Sequence, residues 1–214
     1  MTAARIVPVA LLALGAAAVG RPAFAQQLKP LPRIVVDAYG FRTSLKGDEV
    51  TAADLGFPSS ALPARAVGLR LGGQLFLHRT ENRAIGIGVD VVRGLGRTNV
   101  FDSTGVLLAT LTARIEGVAG VLSINFGHRD GWSYLSLGAG PMRVQTFAGT
   151  APEAQPAGRL TANAGAGARW FITRHLAFGF DLRLYLTRAV GSAPGIAGRR
   201  HASLLLMSAG VAIK

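Results

Sequence analysis

Cysteine is absent from this chain of 214 residues. Disulfides and thiolate metal sites are therefore excluded. Charge is scarce as well: Asp, Glu, Lys and Arg make up 16% of the residues, against 50% apolar. Acids number 11 and Lys plus Arg 23, which leaves a net charge of +12. The arginines are dispersed along the chain, with no basic cluster interleaved with stacking aromatics. Nucleic acid is not an expected partner. Beyond the first 25 residues no apolar run approaches the roughly 20 residues of a membrane helix. Any insertion into a membrane must then use strands. The histidines His78, His128, His175 and His201 are far apart and form no HxxxH or other paired ligand spacing. Gly86-x-Gly88 and Gly138-x-Gly140 fall inside strand-like segments, not at a strand-to-helix turn, so they carry no phosphate-loop meaning. Neither a metal nor a cofactor is expected.

What the chain has in quantity is glycine, 28 residues, and alternation. In Leu160 to Arg188 the residues Leu176, Phe178, Phe180, Leu182, Leu184 and Leu186 share one parity. Ala177, Gly179, Asp181, Arg183, Tyr185 and Thr187 share the other. Just before them Leu160, Ala162, Ala164, Ala166, Ala168 and Trp170 oppose Thr161, Asn163, Gly165, Gly167 and Arg169. A period of two belongs to a strand. The large apolar face needs an apolar neighbour, and the small or charged face suits a narrow polar interior. A membrane-spanning β-barrel satisfies both conditions.

The remaining chain follows the same plan. Residues 1–25 read as a secretory leader: Arg5 supplies the positive start, Ile6 to Val19 the apolar run, and Ala23-Phe24-Ala25 the small-x-small site. Removing it takes away Arg5 and Arg21 and no acid, leaving +10 from the +12 of the whole chain. Residues 26–32, with two prolines, form an extended periplasmic lead-in. Residues 33–214 divide into eight strands. The first, 33–44, places Ile34, Val36 and Ala38 on one face and Tyr39 and Phe41 on the other. Strands at 66–78 and 84–93 are clean. The stretch 106–126 changes parity between Leu111-Ala113-Ile115 and Val118-Leu122-Ile124, which predicts a β-bulge near Glu116-Gly117. A fifth strand covers 132–143, and the last runs from Arg200 to Lys214. Long loops are expected at 45–65, 94–105, 144–158 and 189–198, and short turns at 79–82, 127–131 and near 173–174. That alternation fits an up-and-down barrel with short periplasmic turns and longer external loops.

On the leader, the strand count, the loop alternation and stretches such as GWSYLSLGAG (131–140) and AGAGARWFITRHLAFGFDLRLYL (164–186), the chain resembles the eight-stranded outer-membrane β-barrel families, those similar to outer-membrane protein A and outer-membrane protein X. The resemblance implies an all-β, eight-stranded antiparallel up-and-down transmembrane barrel, exported to the bacterial outer membrane. It implies lipid and lipopolysaccharide as surroundings, and barrel-assembly machinery as a partner during insertion. Such barrels usually end in Phe or Trp, where this sequence ends in Lys214. A closed barrel has no free edge, so a monomer is expected.

The strand phases put Arg70, Asp90, Arg114, Glu116, Arg169, Asp181 and Arg183 in the lumen. Eight strands enclose a space that side chains can fill, and buried charges must pair. An interlocking network without a continuous channel is the expectation, with small cavities beside inward glycines. A narrow pore is the alternative. Arg65, Arg93, Arg143 and Arg188 fall at external strand ends, joined by Arg199 and Arg200. Guanidinium groups there suit the phosphates of lipopolysaccharide, or simply snorkel at the interface. Trp132, Trp170, Phe126 and Phe178 suggest a periplasmic aromatic girdle.

His201 and Ser203 share a strand face, and eight-stranded lipid A deacylases use a His-x-Ser pair with an acid. No Asp or Glu follows Ser203, so the base lacks its orienting group. The expected role is non-catalytic: envelope integrity, lipopolysaccharide contact or surface binding through the loops. A soluble lipocalin-like barrel would have to turn its apolar face inward, against the long outward runs of Leu and Phe.

Overall fold

The computed structural model describes residues 31–45, 47–128, 130–150, 158–189, 197–199 and 202–214. The leader, most of the lead-in, Arg200 and His201 lie outside the described residues.

Eight strands are present: β1 (Ile34–Ser44), β2 (Arg65–Arg79), β3 (Arg83–Phe101), β4 (Leu107–His128), β5 (Gly131–Ala148), β6 (Arg159–Phe171), β7 (Leu176–Thr187) and β8 (Ala202–Ile213). Each pairs antiparallel with its chain neighbour, and β8 returns to β1, so the barrel closes in sequence order. Closure matters because lipid offers no partner for a backbone N–H or C=O.

The stagger follows from the register. From Ile34 the paired residues run through Leu75, Ile87, Leu122, Leu137, Ala164 and Leu184 to Leu205. Leu205 falls level with Ser44, one residue past the Thr43–Leu206 pair and ten residues along from Ile34. Every residue on this row is Ile, Leu or Ala and faces outward. It is one turn of a continuous apolar belt.

Inside, three layers fill the barrel. An aromatic layer at the short-turn end contains Leu31, Val35, Phe76, Trp132 and Tyr134. Charged residues fill the middle. An apolar layer above them contains Phe41, Leu45, Val92, Ile115, Met142, Leu204 and Leu206. Inward glycines make room for the large side chains. A Cβ on Gly179 would meet the Tyr39 hydroxyl, and one on Gly167 would come within 2.5 Å of the Tyr134 hydroxyl. The β4–β5 ladder lapses between the Gly117–Met142 and Gly120–Ala139 pairs. Pro141 sits in that lapse, and it has no N–H to give.

Four expectations are corrected. The connection 45–65 is not irregular throughout. It carries helix α1 (Glu49–Leu55), capped by Asp48 and ended by Gly56 at φ 73°, and a 3-10 turn at Ser59–Ala61. The second long loop is mostly strand: β3 continues to Phe101 and β4 begins at Leu107. Likewise β5 runs on to Ala148, so the third connection starts at 149 and not at 144. Nor does β4 bulge at Glu116-Gly117. Its register is unshifted there against both neighbours, even across the lapse in the β5 ladder, and the register shifts fall at Phe76/His78 and Val100/Phe101. The parity change in the sequence has another origin. Leu111, Ala113 and Ile115 face inward, where the upper lumen and the underside of α1 are themselves apolar.

The fit around Tyr39 generates a test. Gly179→Ala should destabilise the barrel by about 1–3 kcal/mol through overpacking. The urea midpoint of the refolded protein, read by heat-modifiability, measures this; an unchanged midpoint would mean that the lumen has slack at Tyr39.

Candidate functional site

Two features carry the chemistry, a charged layer inside the barrel and an arginine rim outside it. Inside stand Asp37, Asp90 and Asp181 with Arg70, Arg169 and Arg183, all at 3% exposure or less. The arginine Nε and Nη2 of Arg169 donate to the two carboxylate oxygens of Asp37 at 2.8 and 2.5 Å. Tyr39 donates to the same carboxylate at 3.4 Å. Arg183 contacts Asp90 at 2.7 Å and Asp181 at 3.4 Å, and donates to Asn163 Oδ1 at 3.0 Å and Ser136 Oγ at 3.1 Å. Arg70 pairs with Asp181 and lies 3.6 Å from Asp90. The Tyr134 hydroxyl donates to Asp181 at 2.7 Å, and Arg169 stacks over the Tyr134 ring at 4.2 Å.

The six charges cancel, three against three. The bidentate bonds of Arg169 and the several bonds of Arg183 offset part of the desolvation cost of burying them, whereas Arg70 is held by ion pairing with Asp181 and Asp90. A cavity with room for about one water, bordered by Asp90, Thr161 and Tyr185, lies beside the network behind Pro141 and Met142.

Of the residues expected in the lumen, Arg70, Asp90, Arg169, Asp181 and Arg183 stand together there. Arg114 and Glu116 do not. Without a bulge, their even parity on β4 places them outside: Arg114 lies over the Phe147 ring at 5.5 Å, and Glu116 joins the rim. Sequence reasoning missed Asp37. Its signal was present, since it shares a parity with Val35, Tyr39 and Phe41 opposite Ile34 and Val36.

On the rim, Arg93, Glu116 and Arg143 are direct cross-strand neighbours on β3, β4 and β5. Glu116 lies 3.7 Å from Arg93 and 3.6 Å from Arg143. Arg65 and Arg188 are exposed, and so are Arg42, Arg97 and Arg159, which the sequence reading did not single out. Arg93 and Arg143 mark the upper edge of the apolar belt and not the strand ends, because β3 and β5 continue beyond them. Arg199 is buried near α1, its guanidinium disfavoured by desolvation and so pushed down from the usual range. Of the four aromatics assigned to a girdle, Phe126, Trp170 and Phe178 face outward, but Trp132 is buried in the lower lumen against Phe76 and Phe171. Its parity on β5 decides this. Ser203 faces outward, and its partner in the His-x-Ser pair, His201, lies outside the described residues. Among the described residues no group of His, Asp and Glu is arranged to hold a metal.

The two kinds of charge should differ sharply under mutation. Asp37→Asn leaves the Arg169 cation buried and uncompensated, and should cost about 3–5 kcal/mol. Glu116→Gln on the half-exposed rim should cost less than about 1 kcal/mol. Parallel urea titrations of the two folded variants compare them directly.

No protein-family model matches the sequence, and no curated protein matches it. Solved structures do resemble it in fold. Neisserial surface protein A (NspA) superposes with a TM-score of 0.52 at 13% identity, over 86% of this chain and 97% of that one. The outer membrane protein OprG from Pseudomonas aeruginosa gives 0.52 at 10% identity, over 87% and 97%. In fold, then, this chain is a closed eight-stranded antiparallel β-barrel of the outer-membrane type.

Proposed function

We propose that this chain is a non-catalytic integral protein of the bacterial outer membrane that acts through its outer surface, with a lumen closed to ion flow. One observation carries the reading: the neutral Asp37–Arg169 and Arg70–Asp90–Asp181–Arg183 network is stacked between two apolar layers. An ion crossing the barrel would have to break paired buried charges and then part both layers. The likeness to a surface protein and to an outer-membrane protein agrees with this location. Export by a cleaved leader of residues 1–25 and insertion by barrel-assembly machinery belong to the same proposal, as does a monomeric state.

The rim gives the surface its chemistry. Arg65, Arg93, Arg143 and Arg188 border the apolar belt where outer-leaflet headgroups lie, and Glu116 holds two of them side by side. Such paired guanidinium groups suit lipopolysaccharide phosphates. The rim tunes contact with the leaflet, while the belt holds the barrel in it.

In planar bilayers the purified protein should give no stable single-channel steps; regular steps would replace this reading with that of a small pore. In a second test, Arg93→Gln, Arg143→Gln and Arg188→Gln combined should abolish the rise in melting temperature that added lipopolysaccharide gives the parent protein in detergent. An undiminished rise would reject the phosphate contact and leave the sealed lumen untouched.

A further inference from the structure

Three strands overshoot the membrane. A tilted span needs about 9–11 residues, whereas β3, β4 and β5 have 19, 22 and 18. The β2–β3 ladder ends at Val67–Leu95 and the β5–β6 ladder at Met142–Arg159. Above those pairs, among the described residues, β3, β4 and β5 pair as strands only with one another. They form a blade, with its inner side packed on α1 through Val100, Ala109 and Leu111. From Arg93 to Phe101 the strand rises about 27 Å at the usual spacing, or about 20 Å along the barrel normal after tilt.

The blade ends in an apolar tip. Phe101, Val106, Leu107 and Leu108 are 56%, 59%, 51% and 59% exposed. The turn beyond them, Asp102 to Gly105, is closed by its own hydrogen bonds. The Asp102 carboxylate accepts from Thr104 N at 2.8 Å, the Thr104 hydroxyl at 2.7 Å and Val106 N at 2.8 Å, and Gly105 takes φ 82°. Those bonds hold its carboxyl below the ordinary carboxylate range, the Thr104 hydroxyl contributing most. Between Arg97 and Arg114 it is the single acid, and it is turned into the loop. Arg97 is exposed on the outer side of the blade four residues below Phe101, whereas Arg114 pairs with Leu95 near the rim.

We propose that this tip is a docking element for an anionic phospholipid bilayer apposed to the barrel's own membrane, with the four apolar side chains entering the interface and Arg97 meeting the headgroup phosphates. The pairing of an apolar tip with a flanking cation suits an anionic lipid surface. A protein partner is disfavoured by size and shape. Stable protein interfaces cover about 800 Å² on each side and need complementary relief; the tip is convex and offers four large side chains. A bilayer accepts a convex tip without complementary shape. The preformed turn removes the ordering cost that a flexible loop would incur.

The test uses the full barrel in nanodiscs of zwitterionic lipid, so that its belt is already covered. Co-flotation is measured with vesicles of phosphatidylcholine alone and of phosphatidylcholine with phosphatidylglycerol. Binding should require the anionic vesicles and weaken in high salt. It should fall at least about tenfold in L107S/L108S, and fall further with salt-like effect in R97Q. Heat-modifiability of each variant establishes that the barrel is folded and embedded, which separates failure of this proposal from failure of the barrel reading. No flotation by the parent overturns the proposal, whether the tip then serves a protein or nothing. Equal flotation with neutral vesicles, or binding undiminished in folded L107S/L108S, overturns it as well.

Discussion

Closure of one antiparallel sheet is the constraint on which everything else depends. In lipid each backbone polar group must find its partner within the protein, and a ring of eight strands achieves this only at a fixed circumference. The ten-residue stagger from Ile34 to the level of Ser44 then sets both tilt and bore. The bore is too small for a solvent column and too large for backbone alone. Side chains must fill it, and their sizes are matched across the wall: Tyr39 against Gly179 and Gly210, Tyr134 against Gly167, Phe41 against Gly68 and Gly94. High glycine content and a few large inward residues are thus two sides of one packing problem.

The same bore explains the charged layer. Three arginines and three aspartates in a space this narrow cannot be screened by water, so each must be satisfied by a specific neighbour. The partners come from distant strands: Arg169 on β6 binds Asp37 on β1, and Arg70 on β2 meets Asp181 on β7. Such bonds cross the lumen and tie opposite walls together. They also fix which strand faces which, a specification that the non-directional apolar belt cannot provide.

Outside, the molecule changes character with height. In the belt, side chains meet lipid and nothing distinguishes one Leu from another. At the level of Arg93, Glu116 and Arg143 the environment becomes polar, and cross-strand neighbours pair. Above it β3, β4 and β5 continue as the blade. There the inner face of the blade packs against α1, whose Thr51 and Asp54 side chains bond both backbone groups of Gly198 at 2.6 and 2.8 Å. The mouth is capped by a loop that has a small core of its own.

The sequence by itself determined eight strands, the faces of nearly all of them and the lipid-facing rows, because period two is written in neighbouring residues and needs no partner. It even held the lumen position of Asp37, two residues from Tyr39. What it could not carry was the meaning of an apolar face. On β4 the residues Leu111, Ala113 and Ile115 looked lipid-facing, and keeping them so required a bulge that put Arg114 and Glu116 inside. The tertiary structure reverses this: the apolar side faces α1 and the upper lumen, and the side that carries Arg114 and Glu116 faces outward. Trp132 is the same case at the other end, buried where an outward girdle was expected. Alternation divides a strand into two faces. Only closure, register and the height of the lipid decide which face is which, because hydrophobic burial has no direction of its own.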